Sequence, residues 1–177
     1  MYYFSNDLWY SSFKCSFKEK GVMMNKWFYF NFILMMFAIW KIATSSLLPH
    51  IIFGGIGLFL ILFNWTRHAV FSTLRSPIPR QKKIKYANLS KRILPFHKWI
   101  GTTALIMIVI HATLVISQFG LDLTNPKMVI GLLGGFFLVG IVLTGWMRLY
   151  KPTIRKRLFH LWLGLTIFFI MILHLAL

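Results

Sequence analysis

Four of the six histidines in this sequence fall in a pattern that can do chemistry. His97 and His111 stand 14 residues apart in one apolar stretch, and His160 and His174 repeat that spacing in another. At about 3.6 residues per turn and 1.5 Å per residue, this separation on a helix is a net rotation of about 40° and a climb of roughly 21 Å. Each stretch therefore carries two imidazoles on one face, near opposite ends. Sliding one stretch onto the other by 63 residues also superimposes Phe96 on Phe159, Trp99 on Trp162, Gly101 on Gly164, Thr103 on Thr166 and Leu114 on Leu177.

The stretches with histidines are separated by one further apolar segment, so as membrane helices they run in the same direction. His97 is then level with His160, and His111 with His174, giving two facing imidazole pairs. Ionisable groups inside membrane spans are rare and usually functional. Zinc suits the pattern poorly, because ligands about 21 Å apart on each helix cannot share one ion. A proton relay would use carboxylates, and the spans contain none. Haem b suits it: its iron takes two neutral imidazoles axially, its ring buries among apolar side chains and its propionates seek cations. Lys98, Arg148 and Arg157 are placed to meet propionates at the His97/His160 level, and Gly101 and Gly164, one turn beyond those histidines, to let a flat ring approach. Gly131, Gly134, Gly135 and Gly140 read as close helix packing. His50 and His68 fall outside the repeat and read as interfacial, with His68 the first substitute ligand. Trp99 and Trp162 read as membrane-interface residues.

The elements that must position these side chains are membrane helices. The chain of 177 residues is 58% hydrophobic and 18% aromatic, with only Asp7, Glu19 and Asp122 acidic. Its net charge of +17 sits in blocks between apolar stretches, which argues against nucleic acid as a partner. Five segments approach the roughly 20 apolar residues that a span requires: 27–48, 51–65 with an extension toward Phe71, 96–116, 128–147 and 158–177. The expected fold is an all-α integral membrane bundle of about five helices, with haems between the third and fifth. Residues 1–26 form a tail, 27–177 the haem-binding domain, and 66–95 a long basic loop.

Lys14, Lys18, Lys20 and Lys26, the basic residues of 66–95, and the run Arg148, Lys151, Arg155, Lys156 and Arg157 all lie on one side. The other side has Lys127 and Lys41. The positive-inside rule makes the basic side cytoplasmic, with the N-terminus inside and the C-terminus outside, and a bacterial cell membrane is the expected location. The loop reads as a topology determinant touching anionic lipid, or as a dock for an acidic partner. The single cysteine, Cys15, excludes an internal disulfide and a cysteine-held cluster. The N-terminal region lacks a cleavable leader pattern, and Met23 or Met24 is an alternative start.

These residues resemble the ferric reductase-like transmembrane domain, shared by ferric reductases, NADPH oxidases and the bacterial haem subunit of the periplasmic methionine sulfoxide reductase system. The resemblance rests on the two histidine pairs, on His97-Lys98-Trp99-Ile100-Gly101, and on Leu143-Thr144-Gly145 followed by Arg148 and the basic run into Phe159-His160. It covers about residues 51–177. It implies an inner haem on His97 and His160, an outer haem on His111 and His174, and outward electron flow. The family domain has six spans, so a sixth helix is expected to be missing here. No G-x-G-x-x-G occurs, which implies that a separate flavoprotein, or quinol, is the electron donor. The acceptor is then ferric iron, oxygen or a partner reductase outside. The ferric reductase-like resemblance implies an oxidoreductase component without its own flavin or nicotinamide domain, and no acid, base or nucleophile constellation marks a substrate pocket. The competing reading is a non-redox haem carrier or assembly subunit, which would leave an axial position open. A transporter would show inverted repeats and broken helices, whereas this repeat is parallel.

Overall fold

The computed structural model describes residues 26–46, 48–75, 77 and 79–177. The tail lysines before Lys26, Cys15 and the alternative start at Met23 or Met24 lie outside the described residues. Among the described residues five helices follow one another: α1 Lys26–Thr44, α2 Pro49–Arg75, α3 Arg80–Phe119, α4 Pro126–Tyr150 and α5 Ile154–Ala176. All five are long and apolar enough to cross a membrane.

The region read from sequence as a loop over 66–95 is almost entirely helical. Residues 66–75 complete α2, which runs on past Arg67 and His68, and 80–95 open α3. Lysine, arginine, glutamine, alanine and leucine are good helix formers, so charge removes this stretch from lipid without unwinding it. The break is confined to the neighbourhood of Pro77 and Pro79. With 40 residues, α3 is about 60 Å long, roughly twice the thickness of a bilayer's hydrocarbon core. Pro95 lies inside it, at the join between the basic and apolar halves, and has no N–H to return to the preceding turn.

Neighbouring helices pack closely in sequence order, α1 on α2, α2 on α3, α3 on α4 and α4 on α5. The α1–α2 contact includes Asn31 Nδ2 donating to the Leu62 carbonyl at 3.2 Å. The buried core, Leu34, Ala38, Leu58, Leu62, Trp65 and Phe168, joins α1, α2 and α5, with Trp65 stacked on Phe168 at 4.5 Å. That contact brings α5 back beside α2. Large apolar side chains cover the outside, and Phe136 is 76% and Trp162 66% exposed. In water such a surface would drive aggregation, whereas hydrocarbon solvates it.

The turns fix the helix starts that matter for the site. Gly120 ends α3 at φ 75°, in the region that favours glycine, and its N–H donates to the Ile116 carbonyl. In the turn that follows, the Thr124 hydroxyl and N–H donate to Asp122 Oδ1, which holds that carboxyl below its ordinary range. Asn125 Oδ1 then caps α4 by accepting from the Lys127 and Met128 N–H groups, with Pro126 in the first turn.

Candidate haem-ligand site

The four histidines of the repeat come together in two pairs. His97 on α3 faces His160 on α5 with ring centres 6.3 Å apart and planes 72° to each other. His111 and His174, on the same two helices, face each other at 6.5 Å and 87°. α3 and α5 are not among the closely packed helix pairs; these imidazoles meet across the space between them.

Each ring is held at Nδ1 by a neighbouring helix. His111 Nδ1 lies 2.6 Å from the His50 carbonyl at the start of α2, and His174 Nδ1 lies 3.1 Å from the Lys127 carbonyl at the start of α4. A carbonyl only accepts, so in the neutral ring Nδ1 carries the hydrogen and Nε2 the lone pair. His97 Nδ1 lies 3.1 Å from Asn64 Oδ1, while Asn64 Nδ2 donates to the His97 carbonyl at 3.2 Å. Both ends of one amide thus grip one residue, with the oxygen toward the ring. His160 Nδ1 lies 3.0 Å from Thr144 Oγ1, whose hydroxyl is turned toward the Gly140 carbonyl at 2.9 Å. With its proton spent on that carbonyl, the Thr144 oxygen accepts from the ring. Among the described residues, no hydrogen bond engages any of the four Nε2 atoms.

Glycines on α2 and α4 make room for the rings. A Cβ on Gly54 would fall 2.8 Å from His111 Nδ1, and one on Gly131 2.9 Å from His174 Cε1. A Cβ on Gly145 would come 3.4 Å from His160 Cε1. Gly101 instead faces the Asn64 amide, and Gly164 is covered by Ile141 and Trp65.

The cations are distributed unevenly. Lys98 Nζ sits over the rings of Trp99 and Trp146 at 5.3 and 5.2 Å. Arg148 is close enough to act electrostatically on both His97 and His160, and Arg157 acts on Arg148. Arg67 acts on the same two histidines, and its buried Nε has no hydrogen-bond partner among the described residues. His68 does not join either pair; it stacks on Trp65 at 4.7 Å with Trp27 edge-on. The His50 ring lies 6.4 Å from that of His111.

The sequence gives no role at the histidines to Asn64, Arg67, Gly54 or the carbonyls of His50 and Lys127, and Thr144 enters there only within Leu143-Thr144-Gly145. A second repeat could have found several of them. Pro49 and Pro126, Gly54 and Gly131, and Gly57 and Gly134 share an offset of 77 residues, and the two carbonyl-bearing residues follow the prolines directly. The α2–α3 hairpin therefore matches the α4–α5 hairpin, and the difference from the offset of 63 is absorbed mainly in the basic extension of α3.

The arrangement fits haem. An iron with two imidazole nitrogens at about 2 Å, each ring centre roughly 1.1 Å further, separates the ring centres by ~6.3 Å. A bare ion would find only two protein ligands at each level, since among the described residues no three His, Cys, Asp or Glu side chains converge. A haem brings four nitrogens of its own. No family model, characterised protein or solved structure matches this chain.

Proposed function

We propose that this chain is a membrane electron-transfer protein that holds two b-type haems, one at each histidine level, and conducts electrons across the bilayer. The observation that carries the proposal is the set of four imidazoles, each with Nδ1 tied to a neighbouring helix and Nε2 free, at separations suited to bis-histidine ligation. Haem b supplies a one-electron ferric/ferrous couple when bound. The chain's part is to present two neutral, fixed imidazoles per level and to exclude water with its apolar helices. Arg67 and Arg148, which have no acidic neighbour among the described residues, are suited to propionate carboxylates at the His97/His160 level, with Arg157 and Lys98 at the edge.

By the positive-inside rule the His97/His160 level is the cytoplasmic, inner one and the His111/His174 level the outer one, in a bacterial cell membrane. A negative interior then favours outward movement of electrons, by ~2.3 kcal/mol per charge per 100 mV. The donor is a flavoprotein or quinol, and the acceptor an external oxidant or partner reductase, as the ferric reductase-like resemblance implies. No residue here is assigned a catalytic role.

The test is transfer across a sealed membrane. Haem-loaded protein in liposomes with a trapped reductant is expected to reduce an impermeant ferric complex outside, and His111→Ala to stop it. A haem carrier would instead show an open axial position, binding carbon monoxide when reduced and failing to pass electrons.

A further inference from the structure

The two levels obtain their ligand orientation differently. At the outer level the acceptors for Nδ1–H are main-chain carbonyls, those of His50 and Lys127, at equivalent places in the two hairpins. Any residue at position 50 or 127 carries such a carbonyl. At the inner level the ring nitrogens meet side chains, Asn64 for His97 and Thr144 for His160, with the Ile141 carbonyl also acting on His160. Here the repeat fails: the offset of 77 places Ile141 opposite Asn64 and Arg67 opposite Thr144, neither of which has an accepting oxygen in its side chain. Each hairpin has supplied its own acceptor from a different turn.

We propose that Asn64 and Thr144 are positioning residues for the inner haem and set its redox potential separately from that of the outer one. This rests on the haem reading above. An acceptor on Nδ1–H makes the opposite nitrogen a stronger donor, and outer-shell partners of this kind commonly control affinity as well as orientation. A stronger donor stabilises ferric more than ferrous iron and lowers the potential. Removing the acceptor raises the potential, loosens the ring and leaves a buried N–H unpaired. Asn64 does this from α2 and Thr144 from α4, so each acts on one ligand of the same iron.

The experiment is a potentiometric titration, followed by reduced-minus-oxidised absorption, of the full chain and of Asn64→Leu, Thr144→Val and Thr144→Ser. The wild type is expected to titrate with two midpoints. In Asn64→Leu and Thr144→Val the same midpoint moves up while the other stays, with roughly 10–100-fold weaker haem retention at the affected site. Thr144→Ser keeps the hydroxyl and returns that midpoint toward wild type, which separates hydrogen bonding from packing. Unchanged midpoints in both variants, or both midpoints moving together, would overturn the proposal. A wild type that binds no haem would instead reject the reading on which it rests.

Discussion

The two histidine levels, outer (His111/His174) and inner (His97/His160) in the proposed orientation, use the same side chain and almost the same spacing, 6.5 and 6.3 Å, yet they are built in opposite ways. The outer level follows the internal repeat closely. A proline opens the helix, the next residue offers its carbonyl, and a glycine four residues on seats the imidazole. The inner level departs from that symmetry, with Asn64 on one side and Thr144 on the other, and with Arg67 and Arg148 close by. Main-chain acceptors make a site that depends on where a helix starts. Side-chain acceptors make one that depends on single residues and can be adjusted one substitution at a time.

The largest way to break this comparison is to remove the ligands themselves. His97→Ala and His160→Ala are each expected to abolish the same haem, and His111→Ala and His174→Ala the other, halving the haem count in every case. Loss of different haems within a pair would show that the levels are not formed across α3 and α5. Next comes filling the outer seats. Gly54→Ala and Gly131→Ala would each press a methyl against a fixed imidazole, and over-packing costs about 1–3 kcal/mol. Outer haem retention should fall about 5- to 150-fold, with the inner site unchanged. A haem-retention assay that found both levels equally affected would mean that the levels are coupled rather than separately built.

A smaller effect is expected from Asn125→Ala, which removes the cap that fixes the start of α4 and hence the Lys127 carbonyl. The loss is about 1 kcal/mol of helix stability, read as a lower midpoint of thermal unfolding and a less tightly held outer haem. The smallest is His50→Ala, which keeps the carbonyl that His111 uses. Its haem count should equal wild type, and a loss as large as that of His111→Ala would give the His50 ring a direct role.

Much of this was legible in the sequence because imidazoles are conspicuous in apolar stretches. The 14-residue spacing and the 63-residue offset were enough to pair His97 with His160 and His111 with His174. What holds those rings was harder to read. Backbone carbonyls belong to every residue, so only the 77-residue repeat of proline and glycine points to those of His50 and Lys127, and Asn64 and Thr144 are single polar residues whose partners lie 33 and 16 positions away. The histidine helices carry Gly101 and Gly164 one turn beyond the inner histidines, whereas the rings are seated by Gly54, Gly131 and Gly145 on the neighbouring helices. Hydropathy also misplaced the ends of the helices between 66 and 95, since it reports what lipid solvates rather than where hydrogen bonding stops. The basic half of α3 is helical and polar at once, and only Pro77 and Pro79 mark the break.

Axial ligation of two haems by the paired imidazoles is the proposal on which the comparison of the two levels depends. Its most direct test is a reduced-minus-oxidised absorption spectrum of the purified protein, made with haem in good supply and scaled by a haem count per chain. Sharp low-spin b-type bands and two haems per chain are expected. A protein without haem, or one with a single high-spin haem open to exogenous ligands, would contradict it.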